Sequence, residues 1–220
     1  MLLNIAKLFL LLGLTRAIQS QKRPNIVLFL TDDQDIVLDG LSPLSKTRRW
    51  FNDGTFFENA FVSTPVCCPS RSSLLTGRYQ HNTHVLNNSR SGNCYGTEWT
   101  SANGLESRST IAAILQDDAN YETFYAGKYL NEYRGKAIPK GWDFWAGLVG
   151  NSRYYNYTIN VNGELQWHGD DYDHDYLTDL IGSLALDFLD QRKKQSFLMV
   201  LSTPAPHAPF TPAPQYSNVI

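Results

Sequence analysis

The feature that most restricts the fold is an apolar run, Ile26-Val27-Leu28-Phe29-Leu30, which follows Pro24-Asn25 and ends in Thr31-Asp32-Asp33-Gln34-Asp35. Short, continuous and bounded by a proline, it reads as a buried strand of an α/β sheet. Phe197-Leu198-Met199-Val200-Leu201 reads the same way, and Tyr121-Glu122-Thr123-Phe124-Tyr125-Ala126 reads as a strand ending at Gly127-Lys128. A helix capped by Ser109 or Thr110 begins ahead of that strand. Tyr176, Leu177, Leu180, Ile181, Leu184, Phe188 and Leu189 fall on one face at helical spacing, so a second helix covers the sheet. Strand, helix, strand is the parallel-sheet order. Phe56-Phe57-Glu58-Asn59-Ala60-Phe61-Val62 alternates enough to be a further strand, one that delivers the chain to Cys67. The expected class is α/β, a mostly parallel mixed sheet between helices.

Ligands of open α/β sheets sit beyond the carboxyl ends of the strands, and three strands here end in residues that carry chemistry. Asp32 and Asp33 follow the first, Lys128 closes another, and His207 lies among prolines in Ser202-Thr203-Pro204-Ala205-Pro206-His207-Ala208-Pro209. Each has an ordinary alternative: a solvated Asp turn, a surface lysine after glycine, a structural histidine. Adjacent carboxylates with no histidine close in sequence suit calcium or magnesium better than zinc.

Cys67-Cys68-Pro69-Ser70-Arg71-Ser72-Ser73-Leu74-Leu75-Thr76-Gly77 reads as a loop entering a short helix, with Ser70 as its cap and Cys67 just ahead of it. Unpaired N–H groups gather at that end, and Arg71 stands nearby, so the spot suits an anion held against a nucleophile. Taken alone, a Cys-Cys pair in a secreted chain is also ordinary disulfide material. The particular letters, Cys-x-Pro-Ser-Arg followed by Leu-Thr-Gly, resemble the signature of the type I sulfatases.

That resemblance covers nearly the whole chain after its leader and implies an alkaline-phosphatase/sulfatase-like fold. It makes Cys67 the residue converted to formylglycine by the formylglycine-generating enzyme. One calcium ion would then be held by Asp32, Asp33 and the modified Cys67, with Arg71 and Lys128 offsetting sulfate charge and His207 contacting the scissile ester oxygen. A hydrated aldehyde explains the loss of sulfur: one hydroxyl attacks, and the other expels sulfate. Gly127 to Tyr133, Asn156-Tyr157-Thr158 and Ala213-Pro214-Gln215-Tyr216 point within the family to enzymes that remove 6-sulfate from glucosamine in heparan and keratan sulfate. Extracellular heparan sulfate 6-O-endosulfatases are the second choice. Two departures stand out. Leu130 occupies a position where many members have histidine, and the chain ends at Ile220, before the later metal ligands and lysine of the family. The resemblance therefore implies the N-terminal part of a catalytic domain, residues 21–220, or a fragment inactive alone. The rival readings are a phosphate-ester hydrolase of the same superfamily, with serine or threonine as nucleophile, and a glycan-binding fragment without catalysis.

Ahead of that domain, Lys7 and the run Leu8-Phe9-Leu10-Leu11-Leu12-Gly13-Leu14 make residues 1–20 a secretory signal peptide, too short to span a bilayer. The expected destination is the lysosome, with secretion as the alternative. Asn87-Asn88-Ser89 and Asn156-Tyr157-Thr158 are N-glycosylation sequons at Asn87 and Asn156. Three cysteines leave Cys68 and Cys94 once Cys67 is set aside, and whether they pair is open. A net charge of −2 gives no basic surface for coating nucleic acid, so a polyanionic substrate such as a sulfated glycosaminoglycan must meet a local cationic pocket. The aromatic section Gly141 to Tyr157 suits either sugar contacts or packing. His168 and His174 among Asp170, Asp171, Asp173 and Asp175 match no known ligand spacing and read as a solvated loop.

Overall fold

The computed structural model describes residues 23–192 and 194–218; the leader segment 1–20 lies outside them. In chain order the principal elements are β1 (Ile26–Asp32), α1 (Cys67–Thr76), α2 (Ile111–Ala119), β2 (Glu122–Lys128), β3 (Phe144–Leu148), β4 (Tyr157–Val161), β5 (Glu164–His168), α3 (Leu177–Gln191) and β6 (Phe197–Pro206). They form a mixed sheet of order β1-β6-β2-β3-β4-β5. The first four strands in that order run parallel, and β4 and β5 pair antiparallel.

Side chains alternate across each strand, and helices cover both faces of the central strands. Tyr125, Leu198 and Val200 pack with Cys68 and Leu75 of α1 and Ala112 of α2. Phe124, Ala126, Met199 and Leu201 point the other way, against Leu177, Ile181 and Ala185 of α3. The aromatic section is core: Trp142, Trp145, Tyr154 and Tyr157 are buried, and Trp145 donates from its indole to the Tyr133 hydroxyl (2.9 Å).

Three expectations need correction. β1 is an edge strand bonded to β6 alone, so only alternate residues reach the core; Val27 and Phe29 stay 47% and 60% exposed on the face where α3 covers β2 and β6 but not β1. The segment Phe56–Val62 forms no strand and is exposed, because alternation alone makes no ladder where no neighbouring strand offers hydrogen bonds. The helix of the cysteine motif begins at Cys67, not after Ser70. Val66 is its cap residue in extended conformation, Pro69 lies in the first turn where its missing N–H costs nothing, and Gly77 closes it with φ 66°.

Candidate active site

The rim at the carboxyl ends of β1, β2 and β6 is built around Asp32, which falls on the inward face of β1 with Ile26, Leu28 and Leu30 and is 3% exposed. Arg71, one turn into α1 and itself buried, places Nη2 3.1 Å from Asp32 Oδ1. Lys128 Nζ lies 2.6 Å from Asp32 Oδ2, and the Ser152 hydroxyl donates to the same oxygen (2.5 Å). Burial pushes the Asp32 carboxyl upward, but Arg71, Lys128 and the hydrogen bonds from Lys128 and Ser152 outweigh it and hold the pKa below its ordinary value. Two buried cations facing one carboxylate leave a net charge of about +1 at the base of the cleft, which favours an anion there.

Position is enforced from behind. The Lys128 carbonyl accepts from Arg71 Nη1 (2.7 Å), the Tyr125 hydroxyl (2.5 Å) and the Ser202 hydroxyl (2.6 Å), and Ser202 Oγ accepts from Arg71 as well (2.7 Å). The guanidinium is thereby locked to two strands at once. Cys67, a free and half-buried thiol, opens α1, and its neighbour Cys68 is tied to Cys94 by a disulfide. The Cys68 amide also donates to Asn88 Oδ1 (2.7 Å), which satisfies an otherwise unpaired N–H of the first turn.

His207 is held by its backbone: its N–H donates to the Pro204 carbonyl (3.0 Å), and its own carbonyl accepts from the Tyr154 hydroxyl (2.7 Å). Its Nε2 stands 3.7 Å from Asp33 Oδ2. Ligand atoms of Asp32, Cys67 and His207 lie within 4.8 Å of one another. A cleft of about 620 Å³ opens over this group, lined by Asp32, Asp33, Cys67, Arg71, Asn88 and His207 among others.

The structure thus brings Asp32, Asp33, Cys67, Arg71 and His207 to one cleft. Lys128 joins them from beneath: fully buried, it touches Asp32 and is not among the cleft-lining residues. Leu130 is buried in the core under α1 and offers nothing to the rim. Ser152, Ser202 and Asn88 were not singled out from sequence. Two of them carried a signal: Ser202 directly follows an apolar run read as a strand, and Ser152 lies just past the carboxyl end of β3, another parallel strand. Asn87 and Asn156 are exposed, though Asn87 Oδ1 is engaged by the Ser89 amide and hydroxyl. His168, at the end of β5, pairs with Asp175 at 3.2 Å, and neither lines this cleft.

Parallel strand ends that gather paired carboxylates, a thiol at a helix start and clamped cations make a cleft whose charge suits a tetrahedral anion. The sulfatase family model matches residues 24–219, and the chain belongs to the sulfatase family. It is 47% identical over 215 residues to the N-acetylglucosamine-6-sulfatase of Capra hircus and 46% to that of Homo sapiens, covering 94% of this chain and 38% of each relative. A putative extracellular sulfatase Sulf-1 homolog of Caenorhabditis elegans is 46% identical over 200 residues, 89% of this chain and 27% of that protein. Among solved structures, a protein in complex with its substrate D-glucosamine-2-N,6-O-disulfate superposes with a TM-score of 0.67 at 26% identity, over 89% of this chain and 37% of the other. The chain spans about two fifths of the length of the N-acetylglucosamine-6-sulfatases it matches. Sulfatases generally use formylglycine and a metal ion. Asp32 and Asp33 suit a hard cation, with one carboxylate kept ionised and the other exposed to the cleft; further oxygens must come from water, substrate or other parts of the polypeptide. Among the described residues no helix is long and apolar enough to cross a membrane.

Proposed function

We propose that the chain carries the nucleophile half of a sulfuric ester hydrolase that removes 6-O-sulfate from N-acetylglucosamine residues of heparan or keratan sulfate. The observation that carries this reading is the convergence of Asp32, Cys67 and His207 above an Arg71–Asp32–Lys128 clamp. Residues 1–20 act as its signal peptide and 21–220 as the N-terminal portion of a catalytic domain. It follows the secretory route to the lysosome, with glycans on Asn87 and Asn156, after the formylglycine-generating enzyme has acted on Cys67.

A calcium ion on Asp32, Asp33 and residue 67 would supply positive charge to the sulfate and the nucleophile. As a hydrated aldehyde, residue 67 offers one hydroxyl to sulfur and a second whose oxygen regains the carbonyl as sulfate leaves. Arg71 and Lys128 set a fixed positive field under the sulfate, and their positions are already locked before substrate arrives. His207 directs Nε2 to the cleft, because Nδ1 lies 2.7 Å from the Ala208 carbonyl, which can only accept. With Nε2 protonated it donates to the departing sugar oxygen.

The test is coexpression with the formylglycine-generating enzyme of the longest polypeptide that carries this sequence. Mass spectrometry of the Cys67 peptide should show the aldehyde, and sulfate should be released from 6-sulfated glucosamine. Turnover unchanged in Cys67→Ala would end the proposal. A second reading, endo-acting release from internal residues of heparan sulfate, is favoured by the 46% identity to the extracellular sulfatase homolog. Release from long chains but not from terminal monosaccharide units would select it.

A further inference from the structure

Before any conversion, residue 67 is a thiol, and the cleft then presents a donor set unlike that of a hard-cation site. Cys67 Sγ, a nitrogen of His207 and a carboxylate oxygen of Asp32 lie within 4.8 Å of one another. Cys67 is the chain's one thiol outside the Cys68–Cys94 disulfide. Sulfur, imidazole and carboxylate together are the ligands of a borderline-soft, four-coordinate ion, whereas calcium takes oxygens in larger number.

The histidine adds an independent sign. Its Nδ1–H is donated to the Ala208 carbonyl at 2.7 Å, which fixes the tautomer and leaves the Nε2 lone pair to the cleft. Metal-ligating histidines are oriented by this kind of second hydrogen bond. Asp32 Oδ2 is occupied by Lys128 and Ser152, but Oδ1 accepts from Arg71 and keeps a lone pair. Asp33 Oδ2 stands 3.7 Å from His207 Nε2 but outside the trio of Asp32, Cys67 and His207, so the fourth position of a tetrahedral shell falls to water.

We propose that the chain with unmodified Cys67 binds one zinc-class divalent cation through Cys67 Sγ, His207 Nε2 and Asp32, with water in the fourth position. Binding releases the thiol proton and involves no change of oxidation state. Tetrahedral bonds of roughly 2.0–2.3 Å set zinc ligands about 3.3–3.8 Å apart, so donors already within 4.8 Å of one another need to close by about an ångström. The residue at 67 is then the selector: sulfur there sets the cleft for zinc, and an oxygen in its place sets it for calcium. This does not depend on sulfatase activity.

The test uses the unconverted chain, with Cys67 shown by mass spectrometry to be a thiol, titrated with cobalt(II) and zinc chloride. A thiolate-to-cobalt charge-transfer band should appear and be removed by zinc but not by calcium, and zinc should protect Cys67 from alkylation. Cys67→Ala should abolish the band, and His207→Gln should weaken zinc binding by roughly 10–100-fold, while both keep the parent circular dichroism. The His207→Gln chain retains the thiol, so its alkylation without metal also checks that the cleft is intact. No charge-transfer band, displacement of cobalt by calcium, or zinc affinity unchanged in either variant would overturn the proposal.

Discussion

Asp32 shows how one side chain can hold a site together and set its charge. Its carboxylate compensates Arg71 and Lys128, both taken out of water, so Asp32→Asn leaves two buried cations opposed by a neutral amide. Breaking a buried pair in this way costs about 3–5 kcal/mol, and urea denaturation should show a loss of that size. A loss under about 1 kcal/mol would mean the cations reach solvent in the native state. Glu106 is a second partly buried carboxyl, in a different setting. It accepts from the Trp99 indole (3.0 Å) and the Tyr129 hydroxyl (3.1 Å), both neutral. Burial raises its pKa to about 7, and those two hydrogen bonds only temper the rise. The native state therefore binds this proton more tightly than the unfolded chain does. Its stabilising contribution is complete below the ordinary value of 4.5 and is lost as pH rises to about 7. The full shift would correspond to about 3 kcal/mol, which partial exposure reduces to about 1–2 kcal/mol. Asp32, with its pKa depressed, acts in the opposite sense and only at lower pH: its contribution is present above 3.8 and lost as pH falls through its native value. Thermal midpoints at pH 5 and pH 7.5 should differ by about 2–6 °C from this group, and Glu106→Gln, which keeps an acceptor for both donors, should remove that difference. A pH profile that survives the substitution would assign the effect elsewhere.

At the scale of elements, what could be read from the sequence was each strand's end, and what could not was each strand's neighbour. Asp32, Asp33, Lys128 and His207 were legible because short apolar runs fix where strands stop, and the α/β architecture puts those stops on one rim. Cys67 and Arg71 were legible through the resemblance of their motif to the type I sulfatase signature. Ser202 directly follows an apolar run, yet its hold on Arg71, 131 residues away, and the role of Asn88, 20 residues from Cys68, come only from the fold. The Phe56–Val62 strand failed for the same reason: alternation is local, but a ladder needs a partner. Gly127 makes the point in reverse. Its φ of 109° and the approach of β6 are imposed by pairing, and a Cβ built there would strike the Ser202 carbonyl. Gly127→Ala must therefore strain the backbone and part β2 from β6 just where Ser202 fixes Arg71 and Lys128. The expected loss is about 3 kcal/mol or more, read by denaturation. Wild-type stability in this variant would show that the two strands separate freely.

For the whole molecule, the two faces of the sheet are unequally finished. Under α1 and α2 the core is closed, and Ile26 and Leu28 of β1 pack into it. On the other face α3 covers β2 and β6 but stops short of β1, so Val27 and Phe29 meet solvent beside a strand edge that no described residue pairs. Phe56, Phe57, Phe61 and Val62 are exposed too, at 63–87%. Ile36, Val37, Leu38, Trp50 and Phe51 are exposed as well, and scattered exposed apolar residues are ordinary, but this many large ones exceed what a monomer usually leaves uncovered. An open strand edge beside them compounds the hazard, since it offers both backbone hydrogen bonds and apolar area to another chain. The purified 220-residue chain should therefore bind a hydrophobic dye such as ANS while keeping native near-ultraviolet circular dichroism, which separates a uncovered face from a molten state. The double substitution Val27→Thr, Phe29→Thr leaves the β1 core residues untouched and retains β-branched side chains suited to a strand. It should lower dye fluorescence at least about twofold without loss of secondary structure, because two of the large side chains feeding the patch are gone. Equal dye binding in parent and variant, with both folded, would place the sticky surface away from β1, among the exposed side chains of Ile36 to Leu38, Trp50, Phe51 and Phe56 to Val62.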